Sequence, residues 1–368
     1  MTPGYLYIIQ EEDTLKSIGK KLGLHDFEFV GYHNAYCSPE EKIIKDKIPD
    51  FLDYLLLNSS PPNIQEEHRP LVIERKKTLL PGTRLLFSPP KEPLYYGTNI
   101  VIHKGEKQNA IKYTTKISLT GRTQEGEYIF ELSRISKVFL DNEEVNDIAG
   151  ELAIKAAKVL FPLQLIVDNT GKWVGVYNYK EIYGRWQETK NVILKEYSGE
   201  LAEQYLSLCE KALENEGVLF RSLAGDFFLR TFFAGIYVSY SQEFSFTTGC
   251  AFPVLGNASE VNYKIVQKLA KYLNGYDEIL VQWNGELNDD RSREDLEHGL
   301  PYPYYNSIND KSEKATGSLS AKYFLNIASS MIESCYLCCS VDLEKIKKIE
   351  VSIVRIEEPS EHATVEEI

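Results

Sequence analysis

Carboxylates form the densest group of side chains in this sequence that could do chemistry. Five of them fall within ten residues after the segment that carries Trp283: Glu286, Asp289, Asp290, Glu294 and Asp295. Two carboxylates held about 5–10 Å apart can cleave a glycosidic bond, one as general acid and the other as base or nucleophile. Arg291 and Arg293 interleave with them, and mixed charge in a loop is typical of solvated ion pairs. We therefore expect ion pairing at this loop and predict no catalytic residue there.

A second candidate is the cysteine group of Cys335, Cys338 and Cys339. A zinc site needs four soft ligands, usually from two Cys-x-x-Cys pairs or from one pair with histidines. The sequence has no second pair, and its histidines are widely separated. The segment also has the composition of a strand, in which Cys335 and Cys338 point to opposite faces. We predict buried free cysteines, with no metal and no cofactor.

Other catalytic signatures are missing. The sequence contains no phosphate-binding glycine loop, no dinucleotide fingerprint, no His-Glu-x-x-His motif and no Gly-x-Ser-x-Gly elbow. Three tyrosines of a Pro-Tyr-Pro-Tyr-Tyr segment, Tyr302, Tyr304 and Tyr305, are candidate partner contacts, because tyrosine is enriched at interfaces. Packing beneath a loop is the commoner fate of such residues. The prediction is a binding protein that is not an enzyme.

Composition limits the classes of partner. The chain has 368 residues, of which 43% are apolar, and this is enough for two or more globular cores. Its net charge of −13 argues against nonspecific nucleic-acid binding, which needs a basic surface. No apolar run approaches the ~20 residues that span a bilayer. The N-terminus lacks the features of a signal peptide, and the cysteines do not form a disulfide framework, so we expect a cytoplasmic protein.

The elements that must position these residues are clearest at the N-terminus. The spacing of apolar residues predicts, in order, a strand over 5–9, a helix over 13–23, a helix over 26–34 and a strand over 84–87. Asp13 stands where a helix N-cap is expected, and Gly23 suits a C-terminal stop. Pro81 and Gly82 favour a type II turn before the last strand.

This pattern resembles a LysM module, the βααβ unit best known for binding N-acetylglucosamine-containing glycans such as peptidoglycan. The residues that carry the resemblance are Tyr7, Ile9, Asp13, Thr14, Leu15, Ile18, Asn34 and the run from Leu80 to Leu85. The resemblance implies a groove formed by Glu12, Asp13, Thr14, Asn34, Leu80, Pro81 and Gly82. Two features depart from the family. Glu12 stands where a glycine usually precedes the Asp-Thr pair, and a segment over 36–77 is inserted before the last strand.

The insertion and the acidic residues beside it suggest that the groove serves a protein partner. Apolar residues at helical spacing predict a helix over 49–57 within the insertion. Glu11, Glu12 and Asp13 place negative charge on one rim, where a neutral glycan offers no counter-charge. The candidate partner contacts near the groove are Tyr32, Tyr36 and Phe51.

The rest of the chain predicts an α+β fold. We expect a LysM-like module over 1–90, a proline-rich linker over 91–98, one large domain over 99–356 and an acidic disordered tail over 357–368. Hairpins dominate the large domain, among them one with strands over 163–167 and 173–179 around a turn at 168–171. Helices are predicted over 180–197 and 200–233, the second with candidate breaks near Gly217 and Gly225. Strands do not strictly alternate with helices, which favours a long curved antiparallel sheet with a helical layer. This layout resembles lipid- and lipoprotein-carrier folds in outline and implies no function.

Two classes of function follow. The first is a non-enzymatic binding or adaptor protein, because LysM modules without signal peptides resemble those of bacterial phage-tail-like and contractile injection machines. That resemblance implies a protein partner, either a component of the secretion apparatus or its cargo. The second is a peptidoglycan-binding protein or cell-wall hydrolase that uses the module as a glycan anchor. The absent signal peptide and the absent catalytic motifs favour the first.

Overall fold

The computed structural model describes residues 5–10, 13–24, 26–37, 42–43, 48–49, 52, 54–57, 79–145, 147–197, 199–256, 260–274, 276–305 and 313–359. The chain forms two compact units, Met1–Leu79 and Leu80–Ile368. The boundary therefore precedes the turn at Pro81 and Gly82, which the sequence had placed in the N-terminal module.

The small unit has the order strand, helix, helix, strand. Its elements are β1 (Tyr5–Ile8), α1 (Leu15–Leu22), α2 (Asp26–Tyr36) and β2 (Tyr54–Leu57). The two strands pair antiparallel, with Tyr5 opposite Leu57. Its core consists mainly of Tyr7, Ile18, Leu22, Phe29, Leu55 and Leu57. The capped helices thus bury their apolar stripes against a two-stranded sheet.

The last strand of this unit is not the predicted one. Tyr54–Leu57 forms a strand where a helix over 49–57 was predicted. Leu55, Leu56 and Leu57 are all buried, and a short continuous apolar run of this kind cannot be assigned to helix or strand by periodicity alone. The predicted strand over 84–87 instead lies in the large unit, where Leu85 N donates to Val238 O at 3.1 Å.

The helix ends also differ from the prediction by small shifts. Thr14, not Asp13, is the N-cap of α1, and it forms a capping box with Ser17. Gly23 ends α1 in the left-handed conformation with φ 65°, which confirms the predicted stop. Asn34 does not end α2, which continues to Tyr36.

The large unit is built from one sheet and six helices in its described residues. The strands are β3 (Leu94–Lys104), β4 (Lys107–Arg122), β5 (Tyr128–Arg134), β6 (Phe139–Leu140), β7 (Glu143–Glu144), β8 (Leu163–Val167), β9 (Trp173–Val176), β10 (Ser245–Phe252), β11 (Val261–Leu269), β12 (Glu278–Leu287), β13 (Thr316–Asn326), β14 (Ile332–Asp342) and β15 (Lys347–Ile356). The helices are α3 (Ile148–Lys158), α4 (Tyr179–Glu196), α5 (Glu200–Ala212), α6 (Glu216–Leu223), α7 (Phe227–Phe232) and α8 (Arg293–Glu297). Strand β3 begins at Leu94, so the sheet extends into the predicted linker.

The sheet is large, open and antiparallel throughout. Its order is β10-β11-β12-β13-β14-β15-β3-β4-β5-β8-β9, with β6 beside β4 and β7 beside β6. This confirms the predicted α+β class and the predicted hairpin of β8 and β9. The segment over 200–233 forms three helices, α5, α6 and α7, and the N-caps Asn215 and Asp226 lie within two residues of the breaks predicted near Gly217 and Gly225. None of the helices that the structure describes is long and apolar enough to cross a membrane.

The helical layer covers the inner face of the sheet. Helix α7 packs there, with the Phe232 ring 4.8 Å from that of Tyr96 and the Tyr323 hydroxyl donating to Thr231 O at 3.1 Å. After α7, the chain runs along both ends of the strand order. Tyr237 N donates to Thr170 O at 3.1 Å beside the β8–β9 hairpin, and the same stretch reaches β10, where residue 241 donates to residue 245 at 2.9 Å. The sheet is therefore curved enough for this one segment to contact both of its ends.

Candidate functional site

A cavity of about 720 Å³ lies between the inner face of β10–β12 and the chain that follows α7. The β8–β9 hairpin forms another side of the cavity and contributes Lys172 and Trp173. The opposite wall comes from residues of α7 and of the segment after it, Arg230, Phe233 and Val238 among them. Residues from both ends of the strand order thus line one space.

Strand pairing arranges the cavity floor in rows. Phe246, Gln267 and Trp283 lie opposite one another on three adjacent strands, and Cys250 lies opposite Tyr263. All of these residues line the cavity. Four residues along β10 separate the two rows, which makes them about 13 Å apart. We call the end at Cys250 the charged end and the end at Trp283 the tryptophan end.

The charged end carries two cations and one carboxylate. Arg230 Nη2 lies 2.9 Å from Glu260 Oε1, and the same nitrogen donates to the Ala251 carbonyl. Lys172 is exposed at the rim and has no ion-pair partner among the described residues. The guanidinium is therefore occupied by the protein, whereas the ammonium of Lys172 is available.

The tryptophan end holds a buried donor that lacks an acceptor. Trp283 is 2% exposed, and its Nε1 has no hydrogen-bond partner among the described residues. Its cross-strand neighbour Gln267 is also buried, and the Gln267 Oε1 accepts from the Tyr240 hydroxyl at 3.1 Å. An unpaired buried donor costs about 1–3 kcal/mol. Trp283 lines the cavity, so its indole ring forms part of the surface that a ligand would contact.

The cavity contains one thiol, and it is not activated. Burial raises the pKa of Cys250 to about 11, although the neighbouring Arg230 acts to lower it. A thiol with that pKa is protonated near neutral pH, and the thiolate is the nucleophilic form. The lining residues therefore offer donors and apolar surface rather than a reactive nucleophile.

The acidic loop after β12 is structural. Asp289 accepts from Arg291 Nε and Nη2, each at 2.7 Å, and from Asn262 N at 3.0 Å. Burial acts to raise the pKa of Asp289, but these hydrogen bonds outweigh it and the pKa is lowered. The expected ion pair exists, but it is buried rather than solvated, because Arg291 also donates to the Glu260 carbonyl and closes the loop over it.

Asp295 anchors the tyrosine segment. Its Oδ1 accepts from Tyr304 N at 3.0 Å and from Tyr305 N at 2.8 Å, and its Oδ2 accepts from Ser292 N at 2.8 Å. Tyr302 is 56% exposed and Tyr304 is 45% exposed, whereas Tyr305 is half-buried. Two of the three predicted partner contacts therefore lie at the surface on a fixed loop.

Asp13 pins the start of the small unit's first helix. Its Oδ2 accepts from the Tyr7 hydroxyl at 2.5 Å, and its Oδ1 lies 2.5 Å from Lys21 Nζ. Burial acts to raise the pKa of Asp13, but the hydrogen bonds from Lys21 and Tyr7 outweigh it and the pKa is lowered. The ammonium of Lys21 therefore compensates the negative charge of Asp13 at this rim.

The other predicted groove residues do not form one surface within a unit. Asn34 accepts from Ile43 N and donates to Ile43 O, both at 2.8 Å, so it fixes the chain after α2. Leu80, Pro81 and Gly82 belong to the large unit, where Gly82 N donates to Ser241 O at 3.2 Å. Tyr32 is half-buried on α2, and Tyr36 ends that helix. Glu12 and Phe51 lie outside the described residues.

Two of the three cysteines are buried, as predicted. Cys335 and Cys339 lie on the inner face of β14, whereas Cys338 is half-buried and points to the outer face, and all three are free thiols. Within the described part of the chain, no three His, Cys, Asp or Glu side chains lie together in a way that could hold a metal ion.

The outer face of the sheet carries a carboxylate with three donors. Glu350 Oε1 lies 2.7 Å from Lys348 Nζ and accepts from the Tyr336 hydroxyl at 2.9 Å, while Oε2 lies 2.9 Å from His103 Nε2. The hydrogen bonds from Lys348 and His103 lower the pKa of Glu350 to about 2. Lys348 comes from the same strand as Glu350, whereas Tyr336 and His103 come from the two adjacent strands, β14 and β3.

The cavity residues were missed by sequence reasoning. Lys172, Arg230, Glu260 and Trp283 come from four separate segments, and only the pairing order of the sheet brings them together. The available signal was weak. A tryptophan on a strand is usually predicted to pack in the core. No local sequence pattern distinguishes a buried indole that has a hydrogen-bond partner from one that has none.

Comparison with known proteins gives a limited result. No protein-family profile matches the chain, and no curated protein sequence matches it. A solved structure described as "Lipid-protein interactions in lipovitellin" matches 76% of this chain and 27% of that chain, with a TM-score of 0.40 and 10% sequence identity. The match thus spans about a quarter of that chain's length.

Proposed function

We propose that this chain is a non-enzymatic binding protein whose large unit holds a small-molecule ligand in the cavity. The observation that carries the proposal is a cavity of about 720 Å³ whose lining combines the aromatic rings of Phe246 and Trp283 with the ammonium of Lys172. Ligand pockets are typically mostly apolar clefts of about 300–1,000 Å³ with a few placed polar groups. The protonated Cys250 thiol supports binding rather than covalent chemistry.

The small unit is proposed as a LysM-like docking module for a protein partner, either a secretion-apparatus component or its cargo. Its order of strand, helix, helix, strand supports this proposal. A second supporting observation is that Asp13 and Asn34 form their hydrogen bonds with other residues of the same unit. Recognition would then rely on the surface of the module rather than on these two side chains.

A fluorescent probe tests the cavity. We expect 8-anilinonaphthalene-1-sulfonate to brighten on binding the full chain. Thr248 is a cavity-lining residue on β10, and Thr248→Phe should fill the space and lower the probe affinity about a hundredfold. Thr247→Phe is the matched control, because Thr247 is exposed on the opposite face of the same strand. Equal binding by the two variants would remove the cavity as the ligand site.

Glycan binding by the small unit is a second candidate, favoured by the same βααβ order. Titration of N-acetylglucosamine oligomers into the full chain separates the two candidates. The docking proposal expects no heat and no release of soluble sugar from peptidoglycan. Micromolar binding that persists in Thr248→Phe would support the glycan anchor. Sugar release that is abolished by Glu286→Gln or Asp290→Asn would show that the protein is a hydrolase.

A further inference from the structure

The two ends of the cavity differ in chemistry. The charged end has Lys172, Arg230 and Glu260 near Cys250, whereas the tryptophan end has Phe246, Trp283 and Val238 with one neutral polar side chain, Gln267. The chain runs past both ends in a consistent direction, because Arg230 contacts Ala251 at the end of β10 while Val238 precedes the turn that enters β10. The cavity is therefore polarised along the strand direction.

The charge of the polar end is opposite to that of the chain. The protein carries a net charge of −13, yet two cations and one carboxylate line this end. Arg230 is paired with Glu260, which leaves the Lys172 ammonium as the uncompensated charge. An ammonium at the mouth of a cavity attracts an anion more strongly than one in open water, because the surrounding protein lowers the local dielectric constant.

We infer that the cavity binds an amphipathic organic anion, with its acidic group at Lys172 and its apolar body directed toward Phe246 and Trp283. This inference rests on the proposed function, in which the cavity is the ligand site. The separation of about 13 Å between the two rows requires an extended body rather than a compact one. Apolar burial along that length supplies affinity, and the ammonium selects the head group.

A head-group series tests the inference directly. Decanoate, decanol and decyltrimethylammonium share a ten-carbon chain and differ only at the head. Each is titrated calorimetrically into the full chain, below the concentration at which it forms micelles. We expect decanoate to bind about tenfold more tightly than decanol, because one charge-assisted hydrogen bond contributes about that factor. The cation should bind most weakly.

Charge reversal at the rim locates the head group. Lys172→Glu should lower the decanoate affinity about tenfold or more and leave decanol binding unchanged. Lys264→Glu is the matched control, because it makes the same charge change at an exposed position on the opposite face of β11. Circular dichroism establishes that both variants are folded. Decanoate binding that survives Lys172→Glu would overturn the assignment of the acidic group to this end.

The remaining outcomes separate this inference from the proposed function. Binding of decanol or of the cation as tightly as decanoate, and its loss in Thr248→Phe, would overturn the anion preference while the cavity remained the ligand site. Absence of heat from all three probes, together with anilinonaphthalenesulfonate binding that Thr248→Phe does not change, would overturn both.

Discussion

Two neighbouring polar regions of the large unit use their polar groups in opposite ways. In the loop after β12, Asp289 and Asp295 each accept several hydrogen bonds from the protein itself. In the cavity, the Trp283 Nε1 and the Lys172 ammonium have no such partners among the described residues. Glu260 joins the two regions, because its carbonyl accepts from Arg291 at 2.6 Å while its carboxylate lines the cavity.

The difference separates polar groups that the fold alone explains from polar groups that are left available to a ligand. Burying a polar group is unfavourable unless its hydrogen bonds are satisfied. A saturated group, such as Asp289, is explained by the fold alone. A charged group that lines an open volume without a protein partner, such as Lys172, is left available to a ligand. The acidic loop attracted attention in the sequence because it is dense in charge, yet the sparser cavity is the better site.

The largest change in the free energy of unfolding should come from breaking the buried ion pair in the loop after β12. Arg291→Met leaves the Asp289 carboxylate buried without its partner, and loss of one member of a buried pair costs about 3–5 kcal/mol. Arg293→Met is the control, since Arg293 is only half-buried and its contacts with Glu297 and Glu313 are long, at 3.7 and 3.3 Å. It should cost about 1 kcal/mol or less. Urea unfolding that places the two variants within 1 kcal/mol of each other would contradict a structural role for the loop.

Asn34 extends the comparison to the small unit. Asn34→Leu removes both hydrogen bonds to the Ile43 backbone, and we expect a loss of about 2 kcal/mol in the free energy of unfolding. Hydrogen exchange should show the Ile43 amide losing its protection. Asn34→Asp keeps the hydrogen-bond acceptor and loses the donor, so its free energy of unfolding should lie between those of wild type and Asn34→Leu. A full loss of partner binding with unchanged Ile43 protection would instead assign Asn34 to the docking surface.

The sequence supported local predictions better than distant ones. The stop at Gly23, the β8–β9 hairpin and the strand position of Cys335 follow from residues adjacent in sequence, and the structure confirms them. The prediction of a helix over 49–57 was wrong because three consecutive buried leucines fit both the helical and the strand pattern of apolar residues. The cavity failed for another reason. Lys172 and Glu260 line one cavity only because of the strand order. No local sequence pattern encodes which edge of a sheet lies near which helix.

A smaller effect should follow from satisfying the donor at the tryptophan end. If the ligand anion lies as inferred, 10-hydroxydecanoate places an oxygen near Trp283 Nε1 and should bind about tenfold more tightly than decanoate. Trp283→Phe should remove this advantage and retain decanoate binding. Trp186→Phe is a close control, because the Trp186 indole is also buried without a partner among the described residues but does not line the cavity. An unchanged advantage in Trp283→Phe would show that the oxygen binds elsewhere.

The smallest effect concerns Glu350, which is saturated like Asp289 but lies on the outer face of the sheet, partly open to solvent. Its pKa is lowered from 4.5 to about 2, first by Lys348 and then by His103. The folded state therefore binds this proton more weakly than the unfolded state does. The contribution to stability is fully present above about pH 4.5 and is lost as the pH falls through about 2. Solvent screening limits this contribution to about 1 kcal/mol.

Urea unfolding of wild type and Glu350→Gln measures this contribution. The difference in their free energies of unfolding should be constant near neutral pH and should narrow toward pH 2. Glu286→Gln is the control, because Glu286 is exposed and has no partner among the described residues. A gap that widens on acidification would contradict a lowered pKa, since only a raised pKa has that sign.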